Sequence, residues 1–187
     1  MIPVIVSAKI MTGENCVWFA MRVTYRREIK VRKILDEEGI ENYIPMRKTV
    51  RIRRGRRVKE LVPVVRGLVF VHTVQPEIQR VKDKIPYLQY IMDRRAGTKI
   101  IVPDDQMKTF IAITGTYGDQ LLWFGDGEIN LRKGTRVRIK AGEFEGYEGI
   151  FMKVKGARDR RVVIAIEGVI AVALATLSPD LIEAIDA

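Results

Sequence analysis

Cysteine and histidine are almost absent: Cys16 and His72 are the sole examples of each in 187 residues. One cysteine cannot build an intrachain disulfide framework, which fits a reducing compartment. One thiol and one imidazole make neither a zinc site nor a Cys-His pair with an orienting third group. Long apolar runs are missing as well. The longest, Val162 to Leu177, is broken by Glu167 and Gly168 and is too short for a membrane span, so it reads as two strands. Residues 1 to 11 lack a leading basic region and hold Lys9 inside their apolar part, which is unlike a secretory signal. Gly125-Asp126-Gly127 has neither a strand-to-helix context nor a following Lys-Ser/Thr, so no phosphate loop is indicated. These absences lead to an expectation of a cytoplasmic, non-enzymatic protein without metal or cofactor and without membrane contact.

Charge is abundant, and it is one-sided. Residues 1–112 hold 23 Lys plus Arg against 12 Asp plus Glu, net +11, whereas residues 113–187 hold 10 against 11. With 47% apolar residues the chain is globular, so the excess rides on folded structure. A half this basic points to a polyanion, because each cation set on a phosphate releases counterions. The densest stretch, Arg47 to Lys59, has eight basic residues in thirteen, and Val50, Ile52 and Val58 alternate with the charges around Arg54-Gly55. This pattern predicts a basic β-hairpin whose Arg53, Arg54, Arg56 and Arg57 reach DNA or RNA, the alternative being a solvated loop.

Val17 to Val23 reads as a central strand, followed by a helix over Tyr25 to Glu38 with Thr24 as its N-cap and Gly39 as its stop. Arg26, Arg27 and Lys30 fall on or near the polar face of that helix, whose first turn offers N–H groups to a phosphate; a solvated face is the alternative. Tyr25 beside these arginines suits base stacking. Glu41 to Val50 begins an edge strand containing Pro45. The run after Gly67 fits a buried strand, Pro76 starts a short helix, and 87–92 and 99–102 are short strands. Asp104 caps a last helix, ending the first domain near Ile113. Residues 114–130 read as a linker whose Leu121 to Phe124 cluster would dock on a domain. From Thr135 short strands recur at a spacing that suits a small β-barrel.

The segment Leu131 to Gly149, with Gly134 before Val137-Arg138-Ile139, then Gly142-Glu143-Phe144 and Gly146-Tyr147-Glu148-Gly149, resembles the KOW motif. Upstream, Trp18-Phe19-Ala20-Met21, then a helix, Tyr43-Ile44-Pro45, a basic hairpin, Val62 to Val71 and Ile101-Val102-Pro103 resemble, in order, the N-terminal domain of NusG-type transcription factors. Phrases such as Ile85 to Tyr90 and Lys153 to Arg161 resemble the UpxY antiterminators of capsular-polysaccharide operons.

The resemblance implies an α+β chain: a lead-in at 1–16, outside the resemblance and read as disordered, an NGN domain at 17–113 (an antiparallel sheet flanked by helices), a linker at 114–130 and a small SH3-like KOW barrel at 131–187. It further implies a monomer that binds RNA polymerase across its cleft, with Val65, Leu68 and Phe70 on the polymerase-binding face, plain core packing being the alternative for these three, and Gln79 and Arg80 in the bridging contact, against non-template DNA or nascent RNA. Phe144 and Tyr147 would meet a partner of the barrel such as a ribosomal protein. Glu167-Gly168-Val169 stands where the family carries an aromatic and an Arg, which favours a specialised paralogue. The remaining alternative is a ribosome- or RNA-binding protein that uses its KOW domain.

Overall fold

The computed structural model describes residues 16–115, 121–125, 128–174 and 179–185. In chain order the elements are β1 (Val17–Val23), α1 (Glu28–Glu37), β2 (Glu41–Tyr43), β3 (Met46–Arg53), β4 (Arg56–Pro63), β5 (Leu68–Thr73), α2 (Gln75–Lys84), β6 (Leu88–Tyr90), β7 (Ile101–Val102) and α3 (Asp104–Thr114). There follow β8 (Leu122–Gly125), β9 (Thr135–Ile139), β10 (Glu148–Lys153), β11 (Arg160–Ile166), β12 (Ile170–Ala173) and β13 (Ile182–Ala184). Two compact units emerge, one from residues up to 46 with 62–107, the other from 47–61 with the residues from 108 on.

The first unit is built on an antiparallel sheet in the order β2-β5-β1-β6, with β7 also on β1. Its two middle strands are apolar at nearly every position because both of their faces are buried; Arg22 is the exposed exception in β1, opposite Leu68. Helix α1 turns Val31 and Leu35 inward, α2 turns Ile78 and Val81 inward, and both helices touch β5. Pro45, which cannot donate to a ladder, separates β2 from β3 instead of lying within one strand. The single His72 stacks on Trp18 with ring centroids 4.8 Å apart, and its Nδ1 lies 2.7 Å from the Glu41 carboxylate. It is a structural residue.

The second unit carries a six-stranded antiparallel sheet in the order β13-β9-β10-β11-β12-β8. No pairing joins β13 to β8 among the described residues, so the ladders form an open path and not the closed barrel expected. The expected linker is partly strand: Leu122–Gly125 pairs with β12, and Phe124 is buried with Met152, Val154, Val163, Ala171 and Ala173. Trp123 meets Phe110 edge-on at 6.3 Å, so the apolar cluster read as sticky does pack. Residues 116–120, 126–127 and the lead-in before Cys16 lie outside the described residues. Among the described residues, no helix is long and apolar enough to cross a membrane.

Candidate nucleic-acid interface

The corner between β1 and α1 differs from the expected continuous helix. Thr24 does not cap it: Thr24–Arg26 is a single 3-10 turn, and α1 begins only at Glu28 with no side-chain cap. The cause lies in the tertiary structure. The Glu28 carboxylate is 3% exposed and accepts the N–H of Gly67, 39 residues away. The Gly67 carbonyl in turn accepts the N–H of Val23 at 2.7 Å, and the Thr24 N–H donates to the Tyr87 carbonyl at 3.1 Å. Both ends of the corner are therefore pinned, and the residues between them take what backbone is left. Tyr25 and Arg26 both adopt left-handed conformations, φ 61° and 53°, which bulky residues rarely do.

This conformation throws Tyr25 outward, 81% exposed, with the Arg27 guanidinium 5.4 Å from its ring and 4.9 Å from the ring of Tyr87. Cation–π contact on two rings holds Arg27 in place. Tyr25, Arg26, Arg27 and Lys30 are all exposed, so the corner offers a ring face beside fixed cations, the combination that takes a base and its phosphate. Left-handed backbone at a non-glycine costs about 1–3 kcal/mol and persists where the surrounding structure over-determines it, as the pinned ends do here. Arg26→Gly is accordingly expected to raise the melting temperature by several degrees while lowering affinity for a single-stranded oligonucleotide severalfold. Parallel thermal melts and fluorescence anisotropy would check this, and a loss of stability would mean that the corner holds no strain.

The basic hairpin forms as the alternation predicts. Among the described residues, strands β3 and β4 pair with each other alone, around a two-residue turn in which Arg54 and Gly55 take φ 50° and 76°. Two positive φ values are the signature of a type I′ turn, whose twist matches that of the strands. Arg53 bonds Glu60 at 2.8 Å, and Arg51 lies 3.7 Å from the same carboxylate. Arg54, Arg56 and Arg57 are exposed and no described residue pairs with them. The cations at the tip are thus available to an external anion.

The residues expected on the polymerase-binding face fare differently. Leu68 and Phe70 are 2% and 0% exposed, which corrects their assignment: β5 is buried on both alternations, so these side chains build the core and present nothing to a partner. Val65, in the bend before β5, is half-buried. Gln79 and Arg80 lie exposed on α2, but Gln79 bonds Asp83 at 3.0 Å and Arg80 bonds Glu38 at 2.9 Å. The Lys84 hydrogen bond and then that of Arg80 hold the Glu38 carboxyl below its usual range. Arg80 therefore straps α2 to the end of α1. Phe144 and Tyr147 sit half-buried in the turn between β9 and β10, where the Tyr147 carbonyl accepts the Ile139 N–H. Glu28, Gly67 and Tyr87 were not singled out as site residues from the sequence, where nothing ties Glu28 to a glycine 39 positions away.

The family model described as "Transcription termination factor nusG" matches residues 16–111, about half of the chain. The chain belongs to the NusG family. The match takes in both the β1–α1 corner and the whole basic hairpin, so the candidate interface lies inside the part of the chain that defines this NusG-family member. Among solved structures, one titled "Domain interaction in Thermotoga maritima NusG" is 20% identical, with a TM-score of 0.47, covering 92% of this chain and 98% of that one. A second, titled "Crystal Structure of MjSpt4:Spt5 complex conformation B", is 14% identical with a TM-score of 0.24, covering 91% and 97%. A search of curated proteins gave no significant match.

Proposed function

We propose that this chain is a transcription elongation and antitermination factor that binds RNA polymerase across its cleft and holds nucleic acid with the β1–α1 corner and the β3–β4 hairpin, suppressing pausing and termination. The observation that carries this reading is the hairpin: three exposed arginines with no partner among the described residues, at the tip of a ribbon inside the NusG-family segment. With Leu68 and Phe70 in the core, the polymerase contact falls to Val65 and to the surface around α2. No catalytic group takes part, the chain acts as a monomer in the cytoplasm, and the β1–α1 corner takes non-template DNA or nascent RNA.

The resemblance to UpxY-type factors supports work on a specialised operon such as one for polysaccharide synthesis. The KOW motif in 131–149 supports an SH3-like KOW domain that takes a ribosomal protein through Phe144 and Tyr147. Addition of the purified chain to a multi-round run-off assay is expected to increase full-length product downstream of a long leader several-fold at saturation. Unchanged pausing and termination on every leader tried would reject the antiterminator reading, and tight RNA binding by the second unit without polymerase binding by the chain would favour a ribosome-associated role.

A further inference from the structure

The hairpin carries more than charge. Strand alternation and the shared Glu60 contact put Arg51 and Arg53 on one face of the ribbon, so Val50 and Ile52 lie on the other, and Leu61 of β4 shares that face. All three are exposed, Ile52 by 74%. The two-residue turn sets Arg57 opposite Ile52 and Lys59 opposite Val50, so an apolar stripe runs along one face with cations beside it. A hairpin that serves only for solubility or for phosphate contact has no use for bare isoleucine and valine on its surface.

The occupant can be argued from what the ribbon contains and lacks. Its cations demand a polyanion. Residues 46–63 include no aromatic side chain, so successive bases of a single strand find no ring to stack on. Duplex DNA needs none. A two-stranded β-ribbon fits the major groove, whose floor offers the thymine methyl as its one apolar feature and whose walls are phosphate. We propose that β3–β4 lies in the major groove of duplex DNA with Val50 and Ile52 against thymine methyl groups, Arg57 and Lys59 beside them on the flanking phosphates, and Arg54 and Arg56 at the tip on phosphates of the groove edge. This inference rests on the reading of the hairpin as a nucleic-acid contact and adds the form of nucleic acid and a base preference.

The test uses the whole chain with a short thymine-containing duplex, its two separate strands, and the same duplex with deoxyuridine for thymidine, which removes the methyl groups alone. Anisotropy is expected to show tighter binding to the duplex than to either strand, and a loss of roughly fourfold for each methyl contacted in the deoxyuridine duplex. The Val50→Ser/Ile52→Ser variant, which keeps no side-chain methyl at either position, is expected to bind both duplexes like the wild type on deoxyuridine, with an unchanged salt slope. Equal affinity for the thymidine and deoxyuridine duplexes, or a preference for single strands, overturns the groove proposal. If Arg54→Ala/Arg56→Ala/Arg57→Ala still lowers the salt slope, phosphate contact by the hairpin stands without it. Concentration-dependent sedimentation abolished by Ile52→Thr would assign the stripe to a second copy of the chain and overturn the proposal too.

Discussion

Gly67→Ala is expected to cost about 3–5 kcal/mol, among the largest losses expected from any single substitution in the first unit. Two effects add at this position. The backbone has φ +75°, where any Cβ is strained, and a Cβ built there lies 2.5 Å from the carbonyl oxygen of Val23. That oxygen is main chain of the central strand, so it cannot rotate away as a side-chain terminus would. The same glycine donates its N–H to the buried Glu28 carboxylate, and any shift that relieves the clash pulls on the start of α1. Gly55 provides the control. Its φ is +76° but nothing lies within 4 Å of a Cβ there, so Gly55→Ala should show the conformational term alone, about 1 kcal/mol. Urea unfolding followed by tryptophan fluorescence would separate the two; equal losses would show that the contact with Val23 carries no weight. Total stability of a domain this size is about 5–15 kcal/mol, so the Gly67 variant removes a large share of it.

Arg54→Ala/Arg56→Ala/Arg57→Ala is expected to leave the melting curve unchanged and to weaken nucleic-acid binding on the order of a hundredfold at about 0.15 M salt. The first half follows because these side chains are exposed and pair with nothing described. The second follows from counterion release: each phosphate contact contributes about 0.9 to the slope of log affinity against log salt on duplex DNA, so removing three should flatten the slope by about 2–3. Arg53 should behave differently. Its guanidinium already sits 2.8 Å from Glu60, so Arg53→Ala alone removes less effective charge and should flatten the slope by less than any of the other three. Titrations at several salt concentrations give the slopes directly. An unchanged slope in the triple variant would make the hairpin a solubility device.

The parts of the fold that local pattern determines could be read from the chain. Val17 to Val23 and Leu68 to Thr73 are apolar at consecutive positions because both faces are buried, and the Arg54-Gly55 turn announces itself by composition. The parts set by distant contacts could not. Thr24 looks like a helix cap, and it would be one if Glu28 were not drawn inward to Gly67. Tyr25 and Arg26 belong to residue types that favour ordinary backbone, and only the pinned ends of the corner force them left-handed. Arg80 reads as an exposed cation for a partner because nothing local announces Glu38, 42 positions earlier. Leu68 and Phe70 carry the same lesson in reverse: an apolar strand says that both faces are covered, and assigning one face to an outside partner needed exposure that the strand does not have.

The root of the hairpin has a consequence for how such a chain can diversify. The N–H of Val64 donates to the carbonyl of Pro45 at 2.9 Å, so the points where the ribbon leaves and re-enters the first unit are already fastened together. Loop-closure entropy grows only slowly with length, so an arm rooted this way can lengthen, shorten or exchange its residues with little effect on the body that carries it. The mount belongs to the body of the first unit, whereas the fitting can be exchanged without disturbing it. Descendants of one such ancestor could thus acquire separate target preferences without ever passing through an unstable intermediate.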